Sequence, residues 1–392
     1  MAVSLPECRV VFFSRFPPDP DGAHGGCHRS YQIWWDCVQT LGAENVHVIP
    51  YAKLRPRGLR RLSIRALMVR QNPLSIAASS QVAWELASSV RHSEPLGQYQ
   101  AYLRTHGAPT LCVVEDAVWF HGIVLANWRL GVPTWACPQN LESLDLEGAL
   151  PLGHRLRTLS RLGNLANELR SLAACRARFA ISLVEAGFLG GVGLDTELYP
   201  YRPVGEVRDF FLRIRAARAN GAVEQGLVVL LGSATHVPTR EGMQWFVEQI
   251  RAHGLSPKAR VELVGLGTEK LAGLEAIAPH GTARGRVSSE ALAALLSRAH
   301  VVVIAHFSGF GALTRLAELP LAGIPVLAAA HATRAVEACP GVERLPRQWR
   351  RWATALEDLL GRAPGPSAEP AVDGESVLQR ALAIECGGAG AR

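Results

Sequence analysis

At 392 residues, 48% of them hydrophobic, the chain has apolar material for two cores, and its 19% of charged side chains fits an α/β protein with buried parallel strands. No apolar run is long enough to span a bilayer, and the aromatic–basic interleaving of RNA-binding modules is absent, which argues against a membrane-spanning helix and a nucleic-acid partner. The net charge of +7 then leaves anionic membrane surfaces and phosphorylated small molecules as partners.

The N-terminus lacks a basic leader region and a cleavage site, and Val10, Val11, Phe12 and Phe13 read as a first strand. A long loop rich in turn residues follows, ending in Gly25-Gly26. A helix with an apolar face (Tyr31, Ile33, Trp34, Cys37, Val38, Leu41) starts after it, so its first amides can face a ligand. The segment that opens at Lys53 and closes at Arg70 carries seven Lys/Arg and no acid. It reads as a basic amphipathic helix touching anionic lipid or a phosphorylated acceptor, or as a solvated edge of the domain. Residues 81–91 read as a further helix.

Residues 111–114 form a strand ending in Glu115-Asp116. Ligands of α/β sheets bind beyond the carboxyl ends of strands, so the loop from Asp116 to His121 is a candidate site, with Asp116 and His121 as general bases. Their structural alternatives are an N-cap for Asp116 and a core or cap histidine for His121. Residues 132–136 form the next strand, leading to Gln139-Asn140-Leu141-Glu142. A helix over 162–177, a strand over 178–182 and a linker over 198–203 complete the first half. The alternation restarts with a strand at 227–231, a turn from Gly232-Ser233 to Arg240, a helix over 243–250, and a strand over 261–264 closing on Gly265. Ser288 reads as an N-cap, and closing helices are expected over 348–360 and 376–384. The eight scattered cysteines form no C-x-x-C pair and read as reduced, mostly buried thiols of a cytoplasmic protein.

Residues 301–329, VVVIAHFSGFGALTRLAELPLAGIPVLAA, carry the densest signal: strand, glycine loop, helix, strand. Gly309 and Gly311 allow close backbone approach, Arg315 can pair with phosphate, and Glu318, three residues on, shares its face and suits a ribose diol. The alternative is a plain βαβ unit with a surface Arg–Glu pair.

This stretch resembles the donor motif of GT-B glycosyltransferases of the family 4 kind: Gly-rich loop, basic residue, Glu three residues later, then Gly323-Ile324-Pro325-Val326. Phe310 stands where that pattern often has a first Glu, Arg315 where Lys is usual, and Arg178 where Asp is usual. The resemblance spans about residues 9–385 and implies an α/β fold of two Rossmann-like domains facing a cleft. Residues 1–200 would be the acceptor domain and 201–375 the donor domain, with a helix over 376–386 crossing back to the first. It implies a donor site of Gly25, Gly26, Gly232, Ser233, Arg240, Gly265, Gly285, Val287, Gly309, Gly311, Arg315 and Glu318. Acceptor contacts fall on Asn140 and Glu142, and His121 is the closer match to the family's catalytic histidine. The implied activity is metal-independent, retaining transfer from a nucleotide-sugar co-substrate to a hydroxyl acceptor (glycan, lipid-linked, protein or natural product), with no other cofactor. Two alternatives stay open: a non-catalytic binding or scaffold partner of another transferase, and a sugar-nucleotide epimerase.

Overall fold

The computed structural model describes residues 8–22, 25–50, 94–117, 119–145, 154–278, 281–336, 340–362 and 374–387. The basic segment from Lys53 to Arg70, the helix expected over 81–91 and the residues between Arg362 and Gly374 lie outside them. The chain divides into two compact units, Met1–Tyr201 with Asp373–Arg392, and Arg202–Val372.

Among the described residues the first unit is a six-stranded sheet in the order β2-β1-β3-β4-β5-β6, with every pairing parallel. Its strands are β1 (Val10–Ser14), β2 (Val46–Pro50), β3 (Leu111–Val114), β4 (Thr134–Ala136), β5 (Ala177–Ala180) and β6 (Glu197–Leu198). Central β1 and β3 are buried at every position, as unbroken β-branched and aromatic runs require when both sheet faces are covered. Helix α1 (Gly25–Leu41) covers one face and packs on the C-terminal helix Val377–Gly387. On that last helix Leu378, Leu382 and Cys386 stand four apart on one fully buried stripe, while Ile384 is exposed on the other side.

Cys386 is bonded to Cys8, just ahead of β1, with the Cα atoms 5.6 Å apart. The expectation that all cysteines are thiols is corrected here. Stripe and strand meet in one core, which brings the two sulfurs together across 378 residues of sequence. Cys27, Cys37, Cys112, Cys137 and Cys175 are buried thiols. Digestion under non-reducing conditions should yield one pair of peptides joined through Cys8 and Cys386 that separates on reduction; mass spectrometry reads this directly.

The second unit repeats the plan in the order β12-β11-β10-β7-β8-β9, again all parallel. Its strands are β7 (Leu227–Leu231), β8 (Arg260–Val264), β9 (Gly281–Gly285), β10 (Val301–Ile304), β11 (Val326–Ala329) and β12 (Val342–Leu345). The helix Val237–His253 presses Trp245 and Phe246 against Trp349 and Trp352 of the helix Trp349–Leu360, with ring centroids 5.5–6.4 Å apart. Three elements of this unit are absent from the sequence reading. The helix Gly205–Ala217 follows directly on the expected linker, and β9 and β12 are polar edge strands without an apolar run.

Each sheet has one point where the strand order reverses. In the first unit it lies between β1 and β3, in the second between β7 and β10. Loops diverge there and leave a crevice at the strands' carboxyl ends, which is where α/β folds take ligands.

Candidate functional site

In the second unit, the loops after β7, β10 and β11 bring six charged or titratable side chains together: His236, His306, Arg315, Glu318, His331 and Arg334. β7 ends at Leu231, and Gly232 follows with φ 150°. A methyl group built on Gly232 would fall 2.4 Å from Arg315 Nη1 and 2.8 Å from Thr239 Cγ2, so the guanidinium of Arg315 lies over this glycine. The helix that carries Arg315 is short, Arg315–Leu321, with Pro320 inside it. A helix tip of two turns offers little dipole, so the charge at this point comes from side chains. Burial holds Arg315 below its ordinary pKa, with Glu318 acting in the opposite sense. Glu318 is itself buried.

His306, two residues past β10, is 6% exposed. Its ring stacks on that of His236 at 5.8 Å and 17°, and lies 6.5 Å from His331. Its Nδ1 is buried without a hydrogen-bond partner. Burial, then Arg315, His236, His331 and Arg334, push its pKa down to about 3. Arg334 Nη2 and His331 Nε2 both meet the Gly309 carbonyl, at 2.7 and 2.9 Å. The Arg334 guanidinium also sits 5.2 Å from the centre of the Phe310 ring, so Phe310 holds a cation by its π face. Among the described residues no group of three or more His, Cys, Asp or Glu is placed to hold a metal ion. Convergent cations with an unpartnered buried nitrogen suit an oxyanion.

The other expected donor residues sit around this point in different ways. Gly232 N–H already donates to the Val264 carbonyl, Gly265 N–H to the Gly285 carbonyl, and Gly285 N–H to Thr268 Oγ1. Ser233 Oγ pairs with Thr235 Oγ1 at 2.7 Å. Val287 is half-buried just ahead of Ser288, whose hydroxyl caps the helix Ser289–Arg298. Arg240 belongs to the first turn of the helix Val237–His253, and lines a hollow of about 310 Å3 with Glu241, Gln244, Trp245, Glu248 and Arg347. Gly311 shares the loop of Gly309. His236, His306, His331 and Arg334 are absent from the sequence reading; a histidine right after a buried strand, next to the glycine loop, is the signal that could have found His306.

In the first unit, the reversal between β1 and β3 gathers carboxylates around one arginine. Arg15, after β1, donates to Asp116 Oδ2 at 3.2 Å and pairs with Glu142. Its guanidinium also lies 4.5 Å from the centre of the Trp119 ring. Burial alone would lower the Arg15 pKa, but Glu142 and Asp116 hold it above its ordinary value. Asp116 accepts also from the Gln139 amide at 3.0 Å, and burial holds its carboxyl well above the usual range against the pull of Arg15. Buried Glu115 receives Arg15 N–H at 2.7 Å together with Ser30 and Gln139 side chains. Asp116 and Glu142 are thus joined through Arg15. His121 opens the helix His121–Leu130 and meets Ser171 Oγ at 2.5 Å, with its pKa lowered by burial and Arg170. Gly25 and Gly26 form the first turn of α1, where the Gly26 carbonyl accepts from Gln139 at 2.9 Å. Asn140 is half-buried one residue after Gln139. Arg178 donates to the carbonyls of Leu172 and Cys175, closing the end of the helix His154–Ala173.

Glu168 accepts the amides of Glu142 and Ser143, and Glu185 that of Leu141. Burial raises both carboxyls to about 7. Carboxyls raised in the folded state stabilise it fully below their unfolded pKa, near 4.3, and the contribution fades as pH rises through 7. The first unit is therefore expected to gain stability as pH falls from 8 to 5, read by hydrogen exchange in β3 and β4. Lower protection at pH 5 would contradict these assignments.

No protein-family model and no curated protein matches the chain. Solved structures do. Sucrose-phosphate synthase from Thermosynechococcus elongatus aligns over 90% of each chain at 15% identity with a TM-score of 0.58. HepE of Anabaena in complex with UDP aligns over 90% of each at 12% identity and 0.57. UDP-GlcNAc 2-epimerase from Methanocaldococcus jannaschii aligns over 96% of this chain and 99% of its own, at 12% identity and 0.53. The chain shares the α/β GT-B fold of these proteins, with two parallel six-stranded sheets among the described residues.

Proposed function

We propose that the chain is a sugar-nucleotide-dependent glycosyltransferase that moves a sugar from its donor to a hydroxyl acceptor, of the retaining, family 4 kind. One observation carries the reading: Arg315 and Glu318 stand at the β7–β10 reversal among His236, His306, His331 and Arg334. The departing nucleoside diphosphate needs fixed positive groups that favour its developing charge, and this cluster supplies them without a resident ion. Glu318 accepts the ribose hydroxyls. On the first unit, Asp116 and His121 are the candidates for proton transfer, with Asn140 and Glu142 toward the acceptor. The fold is shared with a protein crystallised with UDP, which supports a nucleotide-linked donor. No helix among the described residues is long and apolar enough to cross a membrane. The reading places the enzyme in the cytoplasm on the strength of its nucleotide-sugar donor alone, since the Cys8–Cys386 bond removes the all-thiol argument for that compartment. It sets the basic segment from Lys53 to Arg70 at an anionic membrane face.

The test is incubation of the purified protein with UDP-, ADP-, GDP- and dTDP-sugars, following binding and slow donor hydrolysis. Binding with hydrolysis supports a transferase. Binding without turnover points to a non-catalytic partner, and an isomerised donor to an epimerase, whose fold this chain also shares. Glu318→Ala should weaken donor binding by roughly 10–100-fold through loss of charge-assisted hydrogen bonds. Unchanged affinity would remove Glu318 from the site.

A further inference from the structure

We propose that the stacked pair His236–His306, with His331 and Arg334 behind it, binds an oxyanion together with one proton, which settles on His306. The inference deepens the donor reading by stating how that site is regulated, and it rests on that reading only for the identity of the anion.

The geometry is unusual for a core histidine. His306 is buried, its Nδ1 meets no hydrogen-bond partner, and its ring is flanked by other rings at 5.8 and 6.5 Å. The charged and titratable groups around it come from every neighbouring element. Arg315 belongs to the short helix after the glycine loop, His236 precedes the helix Val237–His253, and His331 and Arg334 follow β11. The nearby acids have their own roles. Glu318 acts on Arg315, and Glu241 Oε2 accepts from Ser308 Oγ at 3.3 Å. With the site empty, burial and the surrounding cations keep His306 neutral. An anion reverses the sign of that field. One negative charge at ~4 Å raises the proton affinity of an imidazole roughly a thousandfold at an effective dielectric constant of about 20. A sugar diphosphate brings two, so His306 gains its proton as the anion arrives and hands it back when the anion leaves. Affinity then falls as pH rises, by up to about tenfold per pH unit above the pKa of the complex.

Isothermal titration of the intact protein, in buffer pairs of different ionisation enthalpy between pH 6 and 8.5, counts the protons taken up. The probes are UDP-glucose, ADP-glucose, GDP-mannose, dTDP-glucose and inorganic sulfate, whose own charges do not change in this range. The expected result is uptake of about one proton per anion bound at pH 6.5, fading at high pH, with affinity falling in parallel. His306→Gln should bind without uptake. Histidine ring NMR of the unaltered protein gives the same answer without a variant: one buried ring should become protonated on adding the anion. Binding with no uptake and no pH dependence overturns the inference and leaves the transferase reading standing. Sulfate bound with proton uptake, with no nucleotide sugar binding, keeps the inference and removes the nucleotide donor. Uptake that persists in His306→Gln, or no binding of any probe, overturns it.

Discussion

Replacing Arg315 with alanine is expected to weaken nucleotide-sugar binding by about 100-fold or more while leaving thermal stability close to that of the parent chain. The two halves of this expectation have one cause. The guanidinium lies over Gly232 in a place where burial lowers its pKa, so the folded protein holds this charge at a cost. Its return comes only when an anion arrives: a charge-assisted bond to phosphate contributes about 1.5–3 kcal/mol, and more where water is excluded. Arg315→Lys keeps the charge but loses the planar fork and should fall between the two. Calorimetry and a melting curve on the same samples separate the effects. Donor affinity within threefold of the parent would detach Arg315 from the ligand.

Gly242→Ala is expected to destabilise the second unit by about 3 kcal/mol, although alanine is favoured over glycine in a helix interior by about 1 kcal/mol. Gly242 sits in the first turns of the helix Val237–His253, and a methyl group there would fall 1.3 Å from the Ala305 carbonyl oxygen. Backbone cannot be displaced as a flexible side chain can, so the helix must lift away from the end of β10. For a unit of this size the melting transition should drop by roughly 6–12 °C. Ala305 precedes His306, so the anion cluster moves with it, and donor affinity should fall as well. A melting temperature that rises, as helix propensity alone dictates, would show that the contact yields.

Much of this fold can be read in the sequence because parallel strands buried on both faces leave unbroken β-branched runs. Val301–Ile304, Leu227–Leu231 and Leu111–Val114 are legible for that reason. The polar edge strands Gly281–Gly285 and Val342–Leu345 are not, since pairing on one side places no demand on their side chains. Arg315 and Glu318 are legible because a helical spacing of three puts them on one face. His236, His331 and Arg334 come from loops up to 98 residues apart in number, and only the strand order β11-β10-β7 sets those loops side by side. The Arg15–Asp116–Glu142 group follows the same rule in the first unit, through the order β1-β3-β4. The Cys8–Cys386 bond is hidden for a further reason. A scattered set of cysteines without close spacing carries no pairing information until the last helix is packed against α1.

The central claim is that the cationic cluster at the β7–β10 reversal grips the diphosphate of a nucleotide. Titration of the protein with matched nucleosides, nucleoside monophosphates and nucleoside diphosphates, followed by melting temperature, tests it most directly, because a ligand that binds the folded state raises that temperature by mass action. Stabilisation should grow with each phosphate, and at equal ligand concentration Arg315→Ala should lose most of that phosphate-dependent gain. Equal shifts with nucleoside and nucleoside diphosphate, or a phosphate-dependent gain undiminished in that variant, would overturn the claim.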